Sequence, residues 1–140
     1  MGALAALHYR QDPRLTNDLD LLVEPVADLS DAFRAEGFEV AEMADTGEPP
    51  HLLLVRGKGI RADLLLTTVE YQHVALDRAT EGVLSVEDVI IHKLIAWRSR
   101  DRDDILSILR ASHALDEPYI ARWAHDWDVE DRWDEARRGL

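Results

Sequence analysis

Apolar residues fall into short runs in the first half of the chain, bounded by glycine, proline and acidic residues. Runs of this length and composition are typical of buried strands. They predict strands at residues 19–24, 38–43, 51–55 and 60–67. The Arg-Gly-Lys-Gly stretch at residues 56–59 separates the last two runs and predicts a hairpin turn.

Elsewhere the apolar residues recur every three to four positions, which predicts helices. The predicted helices cover residues 2–9, 28–36, 85–98 and 100–112, a segment beginning at residue 116, and a last short helix around residues 129–136. In the second of these we expect Leu29, Ala32, Phe33 and Ala35 to face inward, with Gly37 at the C-terminal cap. Ser85, followed three residues later by Asp88, predicts an N-cap.

The order of these elements is helix, strand, helix, three strands and then helices, which predicts an α/β (α+β) core with a helical C-terminal part. The length of 140 residues is that of one domain with a substantial core. We expect a single domain over residues 1–140, in which residues 1–84 form the sheet core with the site and residues 85–140 form a helical part.

The composition limits the class of protein to which the chain can belong. Apolar residues make up 46% and charged residues 31% of a cysteine-free chain, which is ordinary for a globular protein. No apolar run approaches the roughly 20 residues that span a bilayer, and the N-terminus lacks the basic region of a signal peptide. We therefore expect a cytoplasmic protein with no membrane partner. The net charge of −12 repels nucleic acid at long range, which disfavours but does not exclude a nucleic-acid substrate.

Three carboxylates are the candidate chemistry. Asp18 and Asp20 flank Leu19 in the first strand, and Asp63 lies in the last strand. Side chains two apart on a strand share a face, and like charges held close together repel unless a cation joins them. A divalent metal ion with oxygen ligands meets that need. In the alternative interpretation Asp18 ends a loop and Asp20 alone points inward.

Lys93 lies on the apolar face of its predicted helix, because Val89, Ile90, Ala96 and Trp97 are its neighbours at helical spacing. A buried ammonium group is costly without a partner. One interpretation is that Lys93 reaches the acidic cluster or a bound triphosphate. The other is that its stem runs along the apolar face and brings the charge to solvent.

Two further groups of polar residues have ordinary interpretations. The alternating charges at residues 98–104 indicate a solvated helix start with local ion pairs. Arg14 and Thr16 either hold a phosphate group or cap the turn into the first strand. The histidines have no metal-ligand spacing and are interpreted as ordinary residues; they are His8, His51, His73, His92, His113 and His125.

Several stretches together resemble a known family. Residues 2–5 (Gly-Ala-Leu-Ala), 13–23 (Pro-Arg-Leu-Thr-Asn-Asp-Leu-Asp-Leu-Leu-Val) and 62–65 (Ala-Asp-Leu-Leu) resemble the minimal nucleotidyltransferases of the DNA polymerase beta superfamily. Residues 84–98 (Leu-Ser-Val-Glu-Asp-Val-Ile-Ile-His-Lys-Leu-Ile-Ala-Trp-Arg) and 100–105 (Arg-Asp-Arg-Asp-Asp-Ile) resemble its AbiEii-type branch, found in toxin–antitoxin systems. The resemblance extends to about residue 111.

The resemblance implies a nucleotidyltransferase fold with a mixed β-sheet flanked by helices, and Mg²⁺ or Mn²⁺ bound by Asp18, Asp20 and Asp63. It also implies transfer of a nucleotide from a nucleoside triphosphate such as ATP to a hydroxyl group of RNA, a protein or a small molecule. Lys93 matches a functional lysine near the phosphates. The other residues expected at the nucleotide are Gly2, Ala3, Arg14, Thr16 and Asp104. Implied partners are a cognate toxin or antitoxin protein and, less strongly, tRNA.

One departure concerns the N-terminus. The family carries an apolar strand that ends in Gly-Gly or Gly-Ser ahead of the first helix, and Gly2 matches the second of those residues. Without that strand we expect an exposed sheet edge that favours homo-oligomers. Two other functions remain open. One is a catalytically impaired relative that binds a partner protein, and the other is a kinase-like or small-molecule-modifying enzyme on the same scaffold.

Overall fold

The computed structural model describes Tyr9, residues 18–111 and residues 114–139. These residues form four strands and six helices, which confirms the α+β class. In chain order they are β1 (Leu19–Val23), α1 (Leu29–Ala35), β2 (Glu39–Met43), β3 (Leu52–Gly57), β4 (Ile60–Leu66), α2 (Glu70–Arg78), α3 (Val86–Ala96), α4 (Ser99–Arg110), α5 (Glu117–Asp126) and α6 (Glu130–Arg138). The helix predicted over residues 2–9 lies outside the described residues except for Tyr9.

The four strands form one mixed sheet in the order β1-β4-β3-β2. The strands β2, β3 and β4 pair antiparallel as a meander, and β1 pairs parallel to β4. A parallel pair needs a long crossover connection, and here α1, β2 and β3 lie between the two partners in the chain. The topology therefore places the first strand of the described chain next to the last.

The predicted hairpin between β3 and β4 is confirmed. Its two-residue turn consists of Lys58 and Gly59, whose φ angles are 51° and 78°. Two positive φ angles in a two-residue loop are those of a type I′ turn, whose twist matches the flanking strands. Glycine adopts this conformation without a steric penalty, whereas Lys58 does not.

Two groups of buried apolar side chains hold the molecule together. The smaller one lies between α1 and one sheet face, and it consists of Leu53, Val55, Ala62, Leu64 and Leu66. The larger one lies among the helices and includes Ile90, Ile91, Leu94, Ile105, Ile108, Ile120, Trp123 and Trp133. Leu22 of β1 packs against the larger group from the other face of the sheet. The candidate site thus lies on the sheet face that turns toward the helices.

Helix α1 buries less than its sequence predicts. Leu29 and Phe33 pack against the sheet as expected, but Ala32 and Ala35 are exposed, so their predicted inward orientation is wrong. The helix has seven residues and no fully buried side chain. Two large side chains four residues apart cover the contact, and the short alanine methyl groups lie outside it. Gly37 follows the C-cap with a φ of 85°, in agreement with its predicted place at the helix end.

Helix α2 was not predicted from the sequence. It buries Tyr71 and Ala75 on one face, and the side chain of Gln72 accepts hydrogen bonds from the backbone N–H groups of Thr68 and Val69. Those bonds satisfy donors at the start of the helix that have no partner within it. The preceding threonines favour a strand, which hides this start in the sequence.

The break between α3 and α4 falls at Trp97. The sequence predicts one helix over residues 85–98, but α3 ends at Ala96 because Trp97 adopts a left-handed φ of 48°. The next helix begins at Ser99 rather than Arg100 and ends at Arg110. This single left-handed residue reverses the chain, so that α3 and α4 pack against each other.

The last two helices follow their predicted patterns. Asp116 caps α5 by accepting a hydrogen bond from the N–H of Tyr119 at 3.1 Å, and α6 buries Trp133 and Ala136. Across the part of the chain that the structure describes, no helix is both long enough and apolar enough to cross a membrane.

Candidate metal and nucleotide site

The carboxylates of the candidate site lie on one face of the sheet. Asp20 of β1 and Asp63 of β4 are Cα partners on neighbouring parallel strands. Neighbouring strands lie about 4.8 Å apart, so the two side chains stand side by side. Leu19 and Leu21 point to the opposite face because side chains alternate along a strand. The structure therefore brings together two of the three predicted carboxylates.

Asp18 precedes β1 and joins the same face. Its Oδ1 lies 3.1 Å from Nε of Arg61, and Arg61 shares a face with Asp63 because the two are two residues apart in β4. The three carboxylates thus line one surface. In the structure, however, the charge next to Asp18 is a guanidinium group.

Arg56 of β3 holds Asp63 in place. Its Nη2 donates a hydrogen bond of 2.6 Å to Oδ1 of Asp63. Its Nη1 donates to the backbone oxygens of Val55 and Ala62 at 2.9 and 2.8 Å. Three bonds fix a side chain that otherwise has many rotamers. One carboxylate oxygen of Asp63 is therefore oriented by the protein itself.

Arg98 connects the sheet site to the helices. Its Nε donates to Oδ2 of Asp101 at 2.7 Å, and this hydrogen bond is the main reason that the pKa of Arg98 is raised. The negative charges of Asp101, Asp20 and Asp104 raise it further. Arg98 therefore lies within electrostatic range of both Asp20 on β1 and the acids of α4.

Lys93 is buried and paired. Its Nζ lies 2.6 Å from Oδ2 of Asp104 and 3.5 Å from Oδ1 of Asp101, and only 6% of its side chain is exposed. The interpretation in which the ammonium group reaches solvent is therefore wrong. Lys93 does reach an acidic cluster, but the acids belong to α4 and not to the sheet.

The interpretation of residues 98–104 as a solvated helix start is wrong for two of its acids. Asp101 and Asp104 are 2% and 1% exposed, whereas Asp103 lies at the surface. Burial acts to raise the pKa of Asp101, but hydrogen bonds from the side chain and backbone of Arg98 and the charge of Lys93 lower it overall. A buried lysine therefore sets the environment of these acids.

A further buried carboxylate, that of Asp88 in α3, was identified from the sequence only as a capping residue. It is fully buried, and its oxygens accept hydrogen bonds from side chains of α2, α5 and the N-cap. The donors are Ser85 at 2.6 Å, Tyr119 at 2.7 Å, Tyr71 at 3.3 Å and Arg78 at 3.3 Å. This network joins three helices around one charge.

The burial of Asp88 has a signal in the sequence. Ile91, three residues further along α3, is apolar and buried, and Leu84, just before the N-cap, is buried too, so Asp88, like Lys93, lies on an apolar face of the helix. The effect on neighbouring groups is clear at Tyr71 and Tyr119. Burial is the main cause of their raised pKa values, and the nearby charge of Asp88 adds to it.

His92 departs from its interpretation as an ordinary histidine. Its Nδ1 lies 2.8 Å from the backbone oxygen of Asp88 and 3.2 Å from the hydroxyl of Tyr71. Its Nε2 is shielded from solvent and has no hydrogen-bond partner among the described residues. Burial lowers the pKa of His92 to about 4. The ring is therefore neutral at physiological pH.

Oxygen donors of the kind that Mg²⁺ and Mn²⁺ prefer are present at Asp20 and Asp63, with Asp18 on the same face. The donor chemistry fits a divalent ion. Among the described residues, though, no three His, Asp or Glu side chains are arranged to hold a metal ion, and Asp18 and Asp63 contact arginines. The remaining predicted nucleotide residues, Gly2, Ala3, Arg14 and Thr16, lie outside the described residues.

The chain matches no protein-family model. No curated protein matches it.

Proposed function

We propose that this protein is a magnesium-dependent nucleotidyltransferase, which transfers a nucleoside monophosphate from a nucleoside triphosphate to an acceptor hydroxyl group. The observation that carries this proposal is the pairing of Asp20 with Asp63 across neighbouring parallel strands. Two carboxylates held at this spacing repel each other, and a bound divalent cation removes that repulsion. The resemblance of residues 13–23 and 84–105 to minimal nucleotidyltransferases supports the same reaction.

Each of the three predicted carboxylates has a role in this reaction. Asp20 and Asp63, together with Asp18, would hold Mg²⁺ or Mn²⁺. Such an ion would supply charge neutralisation of the triphosphate and activation of the attacking oxygen. Asp63 is the residue positioned to take up the proton of the acceptor hydroxyl, because Arg56 fixes its orientation through only one oxygen.

Lys93 acts through its neighbours. Its bonds to Asp104 and Asp101 tie α3 to α4. Asp101 in turn holds the side chain of Arg98, whose charge interacts with that of Asp20. Lys93 and Asp104 are therefore positioning residues that place a guanidinium group beside the phosphates of the donor. The resemblance also assigns Gly2, Ala3, Arg14 and Thr16 to the nucleotide site.

Transfer of label from nucleoside triphosphates tests this function. The purified protein is incubated with Mg²⁺, cell extract and triphosphates labelled at the α-phosphate or, separately, at the γ-phosphate. We expect the α label to appear in an acceptor, since the nucleotide is transferred. Transfer of the γ label instead would identify a kinase-like reaction.

Substitutions of single carboxylates sharpen this test. Asp63→Asn and Asp20→Asn preserve shape but remove a metal ligand, and we expect each to reduce transfer by at least about 100-fold, or roughly 2.7 kcal/mol. Asp103→Asn is the matched control, because Asp103 is exposed and lies on α4. Transfer that Asp63→Asn leaves at the control level would contradict the proposed function.

A second function is favoured by the arginine pairs at the same carboxylates. Arg56 and Arg61 form ion pairs with Asp63 and Asp18 and so neutralise part of the negative charge of these carboxylates. In addition, Leu19 and Leu21 of β1, at one edge of the described sheet, are 36% and 43% exposed. Both features suit a catalytically impaired relative that pairs its sheet edge with another chain, such as a cognate toxin or antitoxin or a second copy.

Calorimetry separates the two functions. Mg²⁺ and ATP are titrated into the protein together and separately. A nucleotidyltransferase binds the triphosphate only when Mg²⁺ is present, and such binding would reject the impaired relative. Absence of any magnesium-dependent binding, together with formation of a stable dimer, would favour it.

A further inference from the structure

The sheet face that carries the candidate site is organised in rows across the strands. In one row Asp20 and Asp63 are partners, and Asp63 is in turn opposite Leu54. In the next row toward the hairpin turn, Arg61 of β4 is opposite Arg56 of β3. Two residues along a strand span about 6.7 Å, so a row of cations adjoins the row of carboxylates.

Two arginines directly opposite each other are unusual. Like charges at paired positions of an antiparallel ladder are destabilising, and this pair persists because Asp63 and Asp18 lie beside it. If a divalent cation occupies those carboxylates, it competes with the guanidinium groups for the same oxygens. The two arginines then face each other with less negative charge near them, and an anion bound between them would offset their positive charges.

The two guanidinium groups differ in how firmly the protein holds them. Arg56 is anchored through Nη1 to two backbone oxygens, so its position is fixed. Arg61 contacts Asp18 through Nε, and 61% of its side chain is exposed. The two Nη groups of an arginine form a planar fork that matches two oxygens of a phosphate group. Arg61 presents that fork at the open side of the row.

The hairpin is a local exception to the charge of the molecule. The chain carries a net charge of −12, yet residues 56–61 read Arg-Gly-Lys-Gly-Ile-Arg and contain three cations and no acid. The third cation, Lys58, lies on the turn, where its ammonium group stands 4.9 Å from the ring centroid of Phe38. Because Phe38 packs against the buried group on the other face of the sheet, Lys58 lies away from the carboxylates. The cations beside the carboxylates are Arg56 and Arg61, and their positive charge attracts anionic ligands to this face.

We propose that Arg61, with the fixed positive charge of Arg56 opposite it, forms a binding site for a phosphate group of the substrate, in the row next to Asp20 and Asp63. The site deepens the proposed function and rests on it, because cation binding at the carboxylates would release Arg61 from Asp18. The arginine side chain is long enough to cover the distance between the two rows. A phosphate group at the carboxylates therefore also lies within reach of the fork of Arg61, whereas both Nη groups of Arg56 already donate hydrogen bonds within the protein.

Two sources can supply this phosphate group. One is the donor nucleoside triphosphate, and the other is the phosphodiester backbone of a nucleic-acid acceptor. Both present the same pair of oxygens to the fork of an arginine. Titrations with two different probes distinguish the sources.

Binding to the full chain is measured with each probe in the presence of Ca²⁺, which occupies oxygen sites similar to those of Mg²⁺. ATP is titrated by calorimetry, and a fluorescent eight-nucleotide RNA without a terminal phosphate is followed by anisotropy. The variants are Arg61→Gln and Arg61→Lys, and Lys58→Gln is the matched control with the same change in charge. Circular dichroism of each variant verifies the fold.

We expect Arg61→Gln to weaken binding of one probe by about 10-fold or more, the loss typical of a charged hydrogen-bonded pair. Lys58→Gln should change it by less than about 2-fold, and Arg61→Lys should recover only part of the loss because lysine has no fork. A loss for ATP identifies the donor as the source. A loss for RNA, with a shallower salt dependence, identifies the acceptor.

Other results overturn the site. If the wild type binds a probe and Arg61→Gln binds it as tightly as Lys58→Gln does, the arginine row does not hold phosphate. Nucleotide transfer could still occur in that case. The site would also be rejected if the wild type bound neither probe. Conversely, a loss of binding in Arg61→Gln in a protein that transfers no label would support the phosphate site and reject the proposed reaction.

Discussion

At the scale of single residues, Lys93 shows what burial does to a charge. Its ammonium group has left water and is compensated by Asp104 at 2.6 Å and Asp101 at 3.5 Å. A pair of this kind adds little net stability compared with apolar residues of similar shape, but removal of one partner leaves an uncompensated buried charge. The residue is therefore more sensitive to substitution than an exposed lysine.

We expect Lys93→Met to lower the free energy of unfolding by about 3 kcal/mol, because Asp104 loses its cation inside the protein. Urea denaturation of the variant measures this loss. Lys58→Met is the control, since Lys58 occupies the exposed hairpin turn, and it should change the free energy of unfolding by less than about 0.5 kcal/mol. Equal losses in the two variants would show that burial does not make Lys93 more sensitive to substitution than an exposed lysine.

His92 gives a pH dependence of stability. Its pKa is lowered by burial to about 4 in the folded protein and is about 6.5 in the unfolded chain. Between these values the unfolded state binds more protons, so stability rises with pH. The contribution of His92 is fully present above pH 6.5 and is lost as the pH falls toward 4.

We therefore expect the wild type to lose about 1–3 kcal/mol more than His92→Gln when the pH is lowered from 7 to 4. Urea titrations of both proteins across this range give the difference. His125→Gln is a useful comparison, because a hydrogen bond to Glu130 raises the pKa of the exposed His125. A pH profile that His92→Gln shares with the wild type would contradict this role.

At the scale of elements, the start of α3 has two functions. The Oγ of Ser85 accepts a hydrogen bond from the N–H of Asp88 at 3.2 Å and donates one of 2.6 Å to the buried carboxylate of the same residue. The N-cap thus also solvates a charge that α2 and α5 share. Helix start and helix packing depend on the same hydroxyl group.

We expect Ser85→Ala to lower the free energy of unfolding by about 2 kcal/mol, which is more than the roughly 1 kcal/mol of an average cap. Thermal and urea denaturation measure the loss. Ser99→Ala tests the same change at the first residue of α4, where the side chain is exposed, and should have little effect. A loss no larger than that of Ser99→Ala would show that Asp88 does not depend on the hydroxyl group.

At the scale of the whole molecule, periodicity and turn chemistry were sufficient to predict most elements. The strands and the Lys58–Gly59 hairpin follow from short apolar runs and from residues that accept positive φ angles. Helix α2 was missed because its cap uses Val69 and Gln72 rather than a serine or aspartate. Local sequence does not reveal a helix whose start depends on an unusual cap.

The candidate site was predictable only in part for a related reason. The pairing of Asp20 with Asp63 follows once two strands are placed side by side, and the sequence identifies both strands. The partners of Lys93 and Asp88 depend on which helices pack together, and helical spacing alone shows that a charge is buried without showing what compensates it. Arg56 and Arg61 acquire their places through strand register, which one sequence does not specify.

The order of strands in the sheet has a consequence for folding. The meander of β2, β3 and β4 joins neighbours in the chain and can form from local contacts, whereas β1 must pair with β4 across on the order of 40 residues. Long-range pairing is the slow part of folding. Asp20 lies on β1 and Asp63 lies on β4. A partly folded chain in which these two strands have not yet paired therefore lacks the surface on which the carboxylates lie side by side. If these carboxylates bind Mg²⁺ as proposed, metal binding followed during refolding should appear with the final kinetic phase and report completion of the sheet.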